Sequence, residues 1–162
     1  MSVVARRGGG AIAAVAALLA LARGAAAQIT LTVTQTPNVF LVSPTVADYN
    51  AGVIVNPTGI LFTITVAGAS ATRTTTVAIR SSSATLGGGK QIGDLQWRRA
   101  DLVAWNAMTT TNAAVESRPV HKNTLNDPWS NQVFLRILLN WATDPPATYT
   151  APIVFTLTVT TP

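Results

Sequence analysis

Two stretches far apart in the chain share one strict alternation. QITLTVT (28–34) sets Ile29, Leu31 and Val33 between threonines, and IVFTLTV (153–159) carries Ile153, Phe155, Leu157 and Val159 at the same spacing. A period of two in β-branched and aromatic residues fits a pleated strand with one buried face, and it cannot lay a stripe along a helix. Strands need neighbours for their backbone groups, so a chain with such segments near both ends of its body is a sheet protein.

The residues between fill in that expectation. VFLV (39–42) is a short apolar run between Pro37 and Pro44, and NPTG (56–59) places proline and glycine for a tight turn. ILFTITV (60–66) is a strand, GASA breaks it, TRTTTVAIR (72–80) resumes a β pattern, and SSSATLGGG (81–89) reads as a flexible loop. Lys90 to Met108 can be read as a helix or as strands. Helical spacing from Ile92 and Leu95 would put Arg99 and Asn106 on the buried stripe, whereas strands put Leu95 and Trp97 on one face and Val103 and Trp105 on another. Strands are therefore favoured, with Arg98 to Asp101 as a polar hairpin loop. Glu116 to Gln132, polar and interrupted by Pro119 and Pro128, is expected to be a long loop. VFLRILLNW (133–141) follows as a central strand with Val133, Leu135, Ile137, Leu139 and Trp141 on its apolar face. Asp144-Pro145-Pro146 forces a turn, because each proline fixes φ and lacks an amide hydrogen. Tyr149 is placed either to bond nearby backbone as a corner tyrosine or to lie on the surface, and Pro152 fits only near a strand's beginning or at an edge. Seven to nine short strands without a convincing helix predict a single antiparallel β-sandwich over residues 28–162.

Residues 1–27 are expected to be removed. Arg6 and Arg7 precede the apolar run AIAAVAALLAL (11–21), and small residues at Ala25 and Ala27 follow, the plan of a secretory signal peptide cleaved after Ala27. The apolar run is shorter than the ~20 residues needed to span a bilayer. Cleavage leaves 135 residues and removes Arg6, Arg7 and Arg23, so the formal charge falls from +5 to +2. The basic balance of the whole chain therefore belongs partly to its leader, which argues against nucleic acid as a partner. There is no cysteine, so the core must hold without disulfides.

Chemistry-bearing residues are sparse. The single histidine, His121, lies in a polar loop without a glycine-flanked serine, and a two-carboxylate mechanism would have to draw on Asp48, Asp94, Asp101, Glu116, Asp127 and Asp144. Most of these stand beside turn signals, where aspartate serves local hydrogen bonding. Asn123, Asn126 and Asp127 suggest calcium only faintly. LGGGKQ fails the phosphate-loop pattern, with Ala84 where the first glycine belongs and Gln91 in place of Ser/Thr, and is better read as a flexible hairpin connection. No cofactor and no enzymatic activity are expected. Trp97, Arg98, Arg99 and Trp105 can form an aromatic, basic surface or pack across strands, and packing is favoured.

PATYTAPIVFTLTV (146–159) resembles the C-terminal strand signature of bacterial secreted immunoglobulin-like and pilin-like domains, including the spore coat U and archaic chaperone-usher fimbrial group. Here Ala147-Thr148 precede the tyrosine where that group tends to carry glycine, and the cysteine pair of many members is missing. The resemblance implies an immunoglobulin-like sandwich and a surface or periplasmic structural subunit, assembling by addition of an extended segment to another subunit's sheet. Gln28 to Thr34, with Ile29, Leu31 and Val33, is the candidate donor, unless it is simply the domain's first strand. Two functional expectations result. One is an exported structural, adhesive or fimbria-like protein that self-associates or exchanges strands with other envelope proteins. The other is a module that binds glycan or another envelope ligand through Trp129 and Trp105. Either would act in the periplasm, at the cell surface or outside the cell.

Overall fold

Alternation becomes architecture in two antiparallel sheets packed face to face. The computed structural model describes residues 28–34, 39–67, 73–120 and 129–160. Among them the strands are β1 (Gln28–Val33), β2 (Val39–Val42), β3 (Val53–Val55), β4 (Ile60–Ala67), β5 (Arg73–Ser81), β6 (Thr85–Gly87), β7 (Lys90–Gln91), β8 (Leu95–Arg99), β9 (Asn106–Ala107), β10 (Ala113–Val120), β11 (Trp129–Leu138) and β12 (Tyr149–Thr160). The larger sheet runs β1-β4-β11-β8-β9, with β3 also paired to β11, and the smaller runs β10-β5-β12-β2. The expected seven to nine strands become twelve because several are two- and three-residue ribbons and one strand is split in two.

That split strand shows what the NPTG turn joins. Val55 pairs with Arg136 and Ile60 with Val133, so β3 and β4 run in the same direction along one side of β11. The four residues between them form a bulge, with Gly59 at φ 64° and the Asn56 amide still donating to Leu135 O at 2.8 Å. The turn is real, but it reverses nothing.

The core lies where the periodicity places it. Ile60, Phe62, Ile64 and Val66 of β4, Val133, Leu135 and Ile137 of β11, and Leu95 and Trp97 of β8 face Val77 and Ile79 of β5 and Ile153 of β12. Phe62 meets Trp129 edge-on at 5.6 Å between ring centroids and tilts against Phe155 at 6.0 Å. Each such side chain contributes roughly 1.5–3 kcal/mol on burial. Trp141, expected on this face, is beyond the end of β11 and 52% exposed. It stacks instead on Tyr49, centroids 4.5 Å apart.

A helix was not expected, yet α1 (Val46–Ala51) is present. Thr45 caps it. The Thr45 hydroxyl accepts from the Asp48 amide at 3.3 Å while the Asp48 carboxylate accepts from the Thr45 amide at 2.8 Å, and Gly52 closes the far end at φ 70°. These are reciprocal bonds of the capping-box kind; the Thr45 hydroxyl, which donates to the Asp48 carboxylate at 2.6 Å, and after it the Thr45 amide hold that carboxyl below its usual range. The stretch expected to be a flexible loop is a tight β6–β7 hairpin whose Gly87, Gly88 and Gly89 all have positive φ and whose Leu86 is fully buried. Residues 90–108 hold β7, a 3-10 turn at Ile92–Asp94, β8 and β9, with no longer helix; the loop expected at Arg98 to Asp101 lies instead at 100–105, because Arg98 and Arg99 pair with β11 at the end of β8. Val103 belongs to none of these strands and is 91% exposed. Glu116 to Val120, expected in a loop, belongs to β10, and Pro119 is tolerated there because β10 is the edge of the smaller sheet.

Tyr149 is the corner tyrosine. Fully buried, it donates its hydroxyl to Pro145 O at 2.5 Å, and the Tyr49 hydroxyl donates to the same carbonyl at 2.9 Å. Burial, reinforced by the Tyr49 hydroxyl, pushes the Tyr149 phenol well above its ordinary value. The diproline turn thus carries an acceptor for both rings and fixes the start of the last strand.

Candidate functional site

The last strand is paired unequally along its length. Tyr149 to Pro152 pair with β2 on one side, and Ile153 to Thr160 pair with β5 on the other. Pro152, at the changeover, opposes Val39. From Ile153 onward, no strand among the described residues lies beside β12 on the side away from β5. Its backbone there presents alternate N–H and C=O groups without a ladder. Burial fades along the same segment: Ile153 is buried, Phe155 and Leu157 are half-buried, and Val159 is 42% exposed.

The first strand adjoins this edge. β1 is the outermost strand of the larger sheet, paired only with β4, and it approaches β12 across the sandwich. Ile29, Leu31 and Val33 point inward and pack half-buried against the core. The candidate donor segment is thus engaged in its own domain, as a first strand. On its outer face Thr30 and Thr65 share a 2.5 Å hydrogen bond. Neither β1 nor β12 beyond Pro152 carries a charged residue.

At the opposite side of the sandwich a polar cluster ties the sheets together. The buried Glu116 of β10 accepts from Arg118 Nε, from Asn131 Nδ2 at 2.7 Å, and lies 3.9 Å from Arg99 Nη1. Arg99 also donates to Val115 O at 3.2 Å and forks onto Asp101, whose carboxyl it holds at about 2 through those hydrogen bonds. Trp129, expected as an exposed ligand platform, is buried here: its indole N–H donates to Thr75 Oγ1 at 3.1 Å and Arg118 covers its ring at 5.1 Å. Its position at the start of β11 turns it into the core.

A third arrangement was not foreseen at all. Lys90, almost fully buried, reaches Asp144 at 2.6 Å and Asp94 at 3.1 Å, beside a pocket of about 400 Å³ that Asn140, Leu139 and Gly52 also line. Asp144 accepts in addition from the Asn140 amide at 2.7 Å. The lysine bridges the two carboxylates, and the contact clamps the β6–β7 hairpin to the turn before β12. Among the described residues no group of three or more His, Asp or Glu side chains is gathered as a metal site. His121, Asn123, Asn126 and Asp127 lie outside the described residues, as do residues 1–27.

The tryptophans and arginines expected to act together are divided between faces. Trp97 is in the core, its indole N–H without a partner among the described residues, and Arg99 belongs to the Glu116 cluster. Trp105 and Arg98 remain on the outer face of the larger sheet and are joined there by Arg136 and Phe134. The guanidinium carbon of Arg136 sits 4.3 Å and that of Arg98 5.1 Å from the Trp105 ring centre, and Arg98 is 5.2 Å from Phe134. Arg136 was legible on the outward positions of VFLRILLNW, since it alternates with Leu135 and Ile137. What sequence lacked was the β8–β11 register that sets Arg98 opposite Phe134.

No helix among the described residues is long and apolar enough to cross a membrane. Comparison with protein-family models, with curated proteins and with solved structures found no match.

Proposed function

We propose that this chain is an exported, non-catalytic β-sandwich subunit with a structural, adhesive or fimbria-like role, working by edge-to-edge strand pairing in the periplasm or at the cell surface. The observation that carries this reading is the half-paired last strand. Ile153 to Thr160 offers a main-chain ladder, and the half-buried Phe155 and Leu157 with Val159 offer apolar side chains at alternate positions, which is what an added strand uses for affinity and for specificity. The occupant is an extended segment of a second copy or of another envelope protein. Buried carboxylates support a non-catalytic role, because Asp144 and Glu116 are each occupied by a cation. The test is native size. Sedimentation of the protein, of surface extracts, and of the protein co-expressed with its genomic neighbours is expected to show assemblies; a monomer in all three would overturn the reading.

A second reading, binding of an envelope glycan, is favoured by one observation: Trp105 stands on the outer face flanked by two arginines. Trp129, being buried, has no part in it. A tryptophan signal that ignores envelope polysaccharides would count against it.

A further inference from the structure

Each carboxylate among the described residues has a partner elsewhere. Asp48 caps α1, Asp94 and Asp144 hold Lys90, and Asp101 and Glu116 hold Arg99 and Arg118. Arg98 and Arg136 form no ion pair among those residues. Arg98 donates one bond, to Leu102 O at 2.8 Å, and Arg136 one, to Gln96 Oε1 at 2.8 Å. The remaining guanidinium N–H groups lack protein acceptors among the described residues, while the guanidinium carbons lie over aromatic rings, Arg136 over Trp105 at 4.3 Å and Arg98 over Trp105 and Phe134 at 5.1 and 5.2 Å. A guanidinium held by its face and free at its edge is set up to take a carboxylate through paired N–H bonds.

The surroundings select the kind of anion. Beside this patch the exposed Val55 stands opposite Arg136 and the exposed Leu61 opposite Gln132, and beyond them Thr63, Ser130, Thr65, Thr30 and Thr32 make an uncharged hydroxyl surface. Such a surface suits a chain of hydroxylated rings. Tracking a phosphodiester backbone takes a run of cations, and here the positive charge is two side chains wide. We propose that the outer face of the larger sheet binds an acidic polysaccharide, with Arg98 and Arg136 taking ring carboxylates, Trp105 holding both arginines in place and the threonine rows facing sugar hydroxyls. This inference rests on the glycan-binding reading and is independent of strand pairing.

The experiment titrates the protein with polygalacturonate, with neutral dextran of matched length and with single-stranded DNA, following calorimetric heat and the Trp105 indole resonance. Polygalacturonate is expected to bind and shift that resonance, with at least a tenfold loss of affinity in Arg98→Gln/Arg136→Gln and none in Arg80→Gln, a control on the other sheet. Should the double variant melt far below the wild type, Arg136→Gln alone serves. Dextran binding as well as polygalacturonate would overturn the acid preference and leave the glycan reading standing. No binding to either sugar would overturn both. DNA binding at equal affinity, or an undiminished double variant, would overturn the assignment of these arginines to a sugar acid.

Discussion

The two sides of this sandwich end in opposite ways. At the β10 side the edge is interrupted by a register shift between Ala114 and Glu116, carries Pro119, and sets Glu116 and Arg118 into a cluster reaching Arg99 and Asn131 across the gap between sheets. Each device blunts an edge against further pairing. At the β1 and β12 side the same devices are missing beyond Pro152: the exposed positions are threonine and valine, and the strand runs straight to Thr160. Two edges of one domain share its backbone chemistry. What separates them is charge, proline and a bulge, and those decide which edge can accept another chain.

The largest expected effect is on the guarded edge. Glu116→Ala leaves Arg118, Arg99 and Asn131 without their shared buried acceptor and is expected to cost about 2–3 kcal/mol, read as a lower urea midpoint with an unchanged slope. A loss within experimental error would remove the cluster from the account of that edge. On the open edge, Val159→Lys sets a charge on the inward face of an unprotected strand. It is expected to weaken self-association about tenfold, or ~1.4 kcal/mol, while shifting the monomer's own stability by no more than ~0.5 kcal/mol. Sedimentation and thermal melting separate the two.

Acid sharpens the contrast further. Asp101 has a depressed carboxyl, so its contribution to stability is complete above the unfolded value of about 3.9 and is lost as pH falls through about 2. The stability difference between wild type and Asp101→Asn is therefore expected to be constant near pH 5, to shrink steeply as pH falls from about 4 to about 2, and to vanish only below that, with no such window at the uncharged edge. A difference undiminished at pH 2 would mean the carboxylate is not what Arg99 supports. The smallest effect belongs to the control: Ser117→Lys on β10 is expected to leave self-association unchanged and stability within ~0.5 kcal/mol.

Sheets, and the segments that build them, were legible because apolar alternation is a local signal. Leu95 and Trp97, Val133, Leu135 and Ile137, and Ile153 all face the core as their spacing demands. Errors arose where pairing partners decide. What the NPTG turn joins is decided only when β11 holds both β3 and β4 on one side, and Trp129 looks like an exposed aromatic until Thr75 takes its N–H. The α1 helix escaped notice because six residues give no period; its signal was Thr45 with Asp48 three positions on. Lys90 and Asp144 are far apart in sequence, and no local pattern joins them. The candidate site was half legible: the alternating last strand was plain, but that no described strand lies beside it beyond Pro152 is a property of sheet order alone.

Amide hydrogen exchange, followed strand by strand at low and high protein concentration, tests the central claim most directly. Strand pairing at the open edge predicts that alternate amides between Ile153 and Thr160 exchange freely in dilute protein and become protected on assembly, while those of β10 do not change. Protection that arises first along β10, or a β12 whose amides are fully protected in the monomer, would contradict it.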